Sequence, residues 1–242
     1  MAELYPHAPI VEAVIELRTQ PVPLERVKKA ARRITKQYAL QESLLEIQIA
    51  GMIGVDAVPK ATQTEVGVQA TSGDATDVVM VKVVGLTVTS RSPYLGWGGL
   101  IGRLERDWAD YVRLAKPGHV DRIGVRFINR IDVPTDEGPF ARDEYILITP
   151  GVPLPMDAVL KDATTLVVAH LSDTDLDLRI HVGEVEPVII KHRSFLLDID
   201  LYRDHEVPQQ GEEIWPMLAR MRDIKNQVFE SLITDKARAL FR

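Results

Sequence analysis

The 242-residue chain contains no cysteine. Disulfides, thiolate metal centres and a cysteine nucleophile are therefore excluded, and a reducing compartment is expected. No apolar run is long enough to span a bilayer: the longest, VVMVKVVGLTV at 78–88, is interrupted by Lys82 and Gly85. The opening MAELYPHAPIVEAV has neither the basic flank nor the apolar stretch of a signal peptide. A cytoplasmic protein without membrane association is expected. Phosphate-cradling glycine loops, a nucleophile elbow and a zinc-protease helix are also missing. Among six scattered histidines, His170, His181 and His192 are evenly spaced. Hairpin registers read from the sequence set His181 opposite Ile190 or Lys191 and His192 near Arg179, so they do not converge on a metal. DTDLD at 173–177 resembles a calcium loop, but Leu178 stands where that loop needs glycine. No metal and no cofactor are expected.

What is present is the composition of an ordinary globular chain, 45% hydrophobic and 26% charged. Its formal net charge of −6 argues against wholesale nucleic-acid binding but leaves local patches open. Residues 11–18 alternate, with Ala13, Ile15 and Leu17 on one face and Glu12, Glu16 and Arg18 on the other, as a half-buried strand does. After QPVP, helical spacing predicts a helix over 23–39. Extended segments are predicted at 43–53, 64–71 and 78–90, then a helix from Trp97 to Ala115 closed by Pro117-Gly118. The pattern then starts again. RIGVRFINRIDV (122–133) is a strand, EYILI (144–148) a short strand and PMDAVLKDA (155–163) a stunted helix. TTLVVAHL, LDLRIHVG and EPVIIKHRSFLLDIDLY are three strands, and a helix over 210–232 closes the chain before a short turn capped by Thr234.

The element order is strand, helix, three strands, helix, written twice. It predicts an α+β fold: two βαβββα-type halves, 1–118 and 119–242, forming a curved antiparallel sheet backed by long helices. This order resembles TATA-binding-protein-like or helix-grip folds built by pseudo-duplication. A sheet covered on one side leaves its second face free.

That face carries charge in order. Arg122, Arg126 and Arg130 recur every fourth residue, about 13 Å apart along a strand. Asp198, Asp200 and Tyr202 point the same way from LDIDLY, and Glu12 and Glu16 do so from the first strand. If the halves join through their first strands, the arginines stand beside the glutamates. The charges then either satisfy one another, or the planar arginine forks receive an anionic group from an extended partner. A second basic patch, including Lys28, Lys29, Arg32 and Arg33, lines the first helix. It is a solvated face or a contact for nucleic acid or an acidic partner, although no aromatics interleave it. Asp198 and Asp200 with Glu12 or Glu16 also make a candidate cation pair for hydrolase or nuclease chemistry. Trp97 and Trp108 fall on an apolar helical stripe and read as core.

Four stretches together carry a resemblance: API-V-EAV-I-ELR (8–18), SPYLGW (92–97), GVRFINRID (124–132), and LDIDLY (197–202) with LARMRDIKNQVFESLITDKARALF (218–241). They resemble a family of sporadically distributed bacterial proteins of about this length, for which no activity is established. The matching positions are strand, turn and helix-contact residues rather than a catalytic set. The patchy occurrence of that family implies an accessory role, such as a toxin–antitoxin or phage-defence module. The expectation is a non-enzymatic protein binding a protein or peptide through Arg122, Arg126, Arg130, Asp198, Asp200 and Tyr202, with Glu12 and Glu16 setting the charge register. Nucleic-acid binding and metal-dependent hydrolysis are the alternatives, and unpaired sheet edges leave room for self-association.

Overall fold

The computed structural model describes residues 5–50, 60–135, 141–148, 163–209 and 211–242. The expected stunted helix at 155–163 lies almost wholly outside them. The chain divides into two compact units. One comprises Met1–Val14, Arg91–Leu95 and Arg122–Arg242; the other comprises Ile15–Ser90 and Gly96–Asp121.

Alternation makes β1 (Ile10–Thr19), which buries Ala13, Ile15 and Leu17. Pro23 then precedes α1 (Leu24–Ile34), whose Val27, Ala30, Ala31 and Ile34 form the buried stripe. The helix is shorter than its periodicity predicts, because a single 3-10 turn at Thr35–Gln37 diverts the chain into Tyr38. β2 (Leu40–Ala50) pairs with β3 (Lys60–Thr71), with a register shift between Leu44 and Leu45. The extended segment expected at 78–90 is two strands, β4 (Asp77–Lys82) and β5 (Gly85–Arg91), reversing at Val83–Val84. Gly85 makes this possible: its φ is 130°, and an added Cβ would lie 2.1 Å from the Leu17 carbonyl oxygen. α2 (Trp97–Ala115) buries Leu100, Leu104, Trp108 and Tyr111, with Trp108 stacked on Tyr111 at 5.5 Å. Trp97 is only half-buried. Lys116, left-handed at φ 51°, ends the helix ahead of Pro117. Within its unit α1 packs on α2, β3 and β4.

The other unit contains most of β6 (Val120–Pro134), then β7 (Thr165–Leu171), β8 (Leu176–Val185) and β9 (His192–Arg203). α3 (Gly211–Leu232) packs on β9, and α4 (Asp235–Ala239) follows. The Thr234 hydroxyl accepts from the Ala237 N–H, the expected cap. EYILI is not a strand: Arg142–Glu144 form a 3-10 turn and Ile146 makes one isolated bridge to Ile233. β9 begins at His192 instead of Glu186, so 186–191 is a loop that exposes Val188, Ile189 and Ile190. The core of this unit takes Val125, Phe127 and Ile131 from β6 and Phe195, Leu197, Ile199 and Leu201 from β9. Leu178, Ile180 and Val182 come from β8, and Ile214, Leu218 and Met221 from α3. Each such side chain contributes roughly 1.5–3 kcal/mol of burial.

The strands follow the order β2-β3-β4-β5-β1-β6-β9-β8-β7 in a mostly antiparallel nine-stranded sheet. With four helices among the described residues, the architecture is mixed α+β. β2–β3–β4–β5 and β7–β8–β9 each run as a meander whose last member lies beside the first strand of its half: β5 by β1, and β9 by β6. No helix among the described residues is long and apolar enough to cross a membrane.

Candidate functional site

Alternation decides which side chains leave the core. In β6 the odd-numbered residues from Val125 to Val133 are buried, so Arg122, Arg126 and Arg130 share the opposite face. In β9 the same rule turns out Asp198, Asp200 and Tyr202. The β6–β9 register sets Arg126 opposite Asp200 and Ile128 opposite Asp198.

The arginines are matched to aspartates one for one. Arg126 donates from Nε and a terminal nitrogen to the two Asp198 carboxylate oxygens at 2.8 and 2.6 Å. This paired hydrogen bonding to Asp198 raises the Arg126 pKa above its ordinary value, helped by the nearby charges of Asp200 and Glu12. Arg122 donates to Asp200 at 3.2 Å and lies over the Tyr202 ring, 4.6 Å from its centroid. The guanidinium of Arg122 fills the space above Gly124, where a Cβ would come within 2.8 Å of it. Arg130 donates to Asp132 at 2.9 Å, to the Ser194 hydroxyl at 3.0 Å and to the Glu186 carbonyl at 2.9 Å.

Beside this ladder the sequence-derived register fails. β8 pairs with β9 so that Arg179 faces Asp200 and His181 faces Asp198. β7 then sets Leu166 opposite His181 and Val168 opposite Arg179. The expected placement of His181 against Ile190 or Lys191 is therefore corrected, and His192 faces Pro134. The loop at 186–191 absorbs residues that their β-branched side chains had assigned to a strand. Its length moves the register. As a result Arg126, Asp198 and Asp200 share a depression of about 360 Å³ with Arg179, His181, Leu166 and Thr164. The last four were not predicted. Alternation in LDLRIHVG does place Arg179 and His181 on one face, but only the true register brings them to the aspartates. Both are exposed, and neither forms a hydrogen bond or ion pair among the described residues.

Of the remaining predicted residues Glu12 acts on Arg126 from β1, and the others lie elsewhere. Glu16 accepts from Lys82 at 2.8 Å and from Arg18 at 2.9 Å, in the other unit. On α1, Lys28 pairs with Glu65 at 2.7 Å and Arg33 with Asp110 at 3.3 Å, while Lys29 and Arg32 are exposed. The basic patch is thus partly neutralised. Asp198 and Asp200 each hold a guanidinium where a cation would sit. The donor atoms best spaced for a metal are instead those of Asp177, Asp204 and His205, within 4.8 Å of one another near the β7–β8 turn. Those groups already have partners: His170 meets Asp177 at 3.1 Å, and His205 meets Asp175 at 2.8 Å and Asp204 at 3.4 Å. The hydrogen bond to Asp175 raises the His205 pKa, and the Arg203 guanidinium lies 2.8 Å from the same carboxylate. Finally, α3 buries Lys225, 4% exposed, with its ammonium 4.0 Å from the Phe127 ring centroid. Burial lowers its pKa to about 8.

No family model and no curated protein matches this sequence. Among solved structures, the crystal structure of DynU16, a protein of the dynemicin biosynthetic locus, is similar at 12% identity. That match covers 90% of this chain and 95% of the other, with a TM-score of 0.22.

Proposed function

We propose that the protein is a non-enzymatic binding module that takes a protein or peptide partner on the charged face of β6, β9 and β8. The observation carrying this reading is the one-for-one matching of Arg122, Arg126 and Arg130 with Asp200, Asp198 and Asp132, beside an open depression. Matched pairs hold the long arginines in fixed positions and leave the face nearly neutral, which suits a partner of mixed charge better than a polyanion. Hydrolysis needs a free carboxylate to bind a metal or accept a proton, and both candidate aspartates are engaged by guanidinium groups. The apolar side chains of Leu166, which lines the depression, and of Val168 two residues along β7 are 53% and 63% exposed and supply area for contact.

The repeated element order fits a pseudo-duplication, with β1 and β6 as corresponding strands, and an accessory role in a toxin–antitoxin or phage-defence module fits the family resemblance. The test is gentle purification from the native host followed by native mass spectrometry, for the wild type and for Leu166→Glu. We expect a stoichiometric protein partner on the wild type and its loss from the folded variant. A wild-type chain that carries no protein, or a partner indifferent to the substitution, overturns the reading.

A further inference from the structure

Charge counting on the same face identifies what the partner brings. Arg122, Arg126 and Arg130 each have an aspartate partner within 3.2 Å. Arg179 has none among the described residues, although its backbone stands opposite Asp200, because that carboxylate is engaged by Arg122. Two strands away from β6, Arg179 is therefore the one guanidinium lining the depression without a carboxylate partner among the described residues: Arg126 holds Asp198, and Asp200 is held by Arg122 from outside that lining. His181 lies two residues along the same strand and faces the same way, across from Asp198, which is engaged by Arg126. Its imidazole offers an N–H in either protonation state. Leu166, opposite His181 on β7, gives the depression an apolar wall.

We propose that Arg179 and His181 form the receptor for a side-chain carboxylate on an acidic segment of a protein partner, with the aliphatic stem of that side chain against Leu166. The assignment rests on the binding-module reading and deepens it. Charge selects the ligand. A single carboxylate matches the single unmatched guanidinium, and two N–H groups of the arginine fork can meet its two oxygens. A phosphate dianion or a nucleic-acid backbone would bring further negative charge to a face that already holds Asp198 and Asp200, with Glu12 acting on Arg126 from β1. A basic segment would meet Arg179 as a like charge.

The probe is the blocked amino acid N-acetyl-glutamate amide, titrated into the isotope-labelled full chain and read by NMR at the Arg179 and His181 side-chain signals. The neutral isostere N-acetyl-glutamine amide and inorganic phosphate serve as comparisons. We expect saturable shifts at both residues in the millimolar range, with the glutamine analogue and the Arg179→Gln chain each at least about tenfold weaker. Equal response to the glutamine analogue, stronger response to phosphate, or no response to glutamate into the tens of millimolar overturns the carboxylate assignment. Arg179→Gln is exposed and leaves the Arg–Asp pairs in place, so the fold is preserved. A partner that is lost with Leu166→Glu yet binds Arg179→Gln at full strength sinks this assignment alone. A wild-type chain without a partner sinks the reading beneath it.

Discussion

Replacing Lys225 with methionine should make the protein more stable. The ammonium is buried under α3 against Phe127, and it lacks a hydrogen bond or ion pair among the described residues. Burial lowers its pKa from 10.5 to about 8. At about 1.4 kcal/mol per pH unit, that gap corresponds to roughly 3 kcal/mol of destabilisation when the group is charged. Removing the amine also removes its attraction to the Phe127 ring, about 0.5–2 kcal/mol, part of which the methionine sulfur restores. The net gain at neutral pH is about 2 kcal/mol, or a rise of about 4–8 °C in Tm for a chain of this size. Linkage fixes the sign of the pH dependence. Between about pH 8 and 10.5 the unfolded chain holds the Lys225 proton and the folded chain does not, so wild-type stability rises across that interval. Below pH 8 both states are charged and the cost is fully present. Tyr94, whose pKa burial pushes up to about 12, acts oppositely: the folded state keeps its proton above pH 10, so its contribution to stability is lost as pH climbs through 12. Urea unfolding from pH 7 to 10 should thus rise for the wild type and stay flatter for Lys225→Met. A variant less stable than wild type at pH 7, with the same slope, would show that the buried ammonium is no net cost to the fold.

Gly85→Ala should destabilise severely, by several kcal/mol, since the new Cβ would meet the Leu17 carbonyl at 2.1 Å in a left-handed backbone; loss of a cooperative thermal transition is the readout. Thr234→Ala removes the α4 cap and should cost about 1 kcal/mol by chemical denaturation. A double-mutant cycle on Arg126 and Asp198 should give a coupling of about 0.2–1 kcal/mol, because Arg126 is 48% exposed and the pair is screened by solvent. A coupling above about 3 kcal/mol would mean the ladder is chiefly a folding device.

The faces of β6 and β9 were legible because their alternation is unbroken: Val125, Phe127 and Ile131 against Arg126 and Arg130, and Leu197, Ile199 and Leu201 against Asp198 and Asp200. The junction of the halves stayed conditional in the sequence; β1 and β6 are neighbours in the sheet. Two failures have one physical cause. Val83–Val84 form a turn from residues that favour strands, so β4 and β5 read as one element. Val188, Ile189 and Ile190 form an exposed loop from the same kind of residue, so β9 read as too long and its register slipped. A slip along β8 conceals which side chains meet across strands. Arg179 and His181 were visible as residues and invisible as neighbours of Asp200 and Asp198. A Cβ on Gly183 would lie 3.2 Å from the hydroxyl of Thr164, one of the residues lining the depression.

On the proposed function, the charged face of β6, β9 and β8 binds a protein. The most direct measurement is native mass spectrometry of the chain isolated from its host, comparing wild type with Leu166→Glu. A stoichiometric protein mass that disappears with the substitution, while the variant's Tm stays within about 2 °C of wild type, is the predicted result. A bare chain, or bound oligonucleotide in place of protein, would contradict the account and leave the arginine ladder as internal charge compensation.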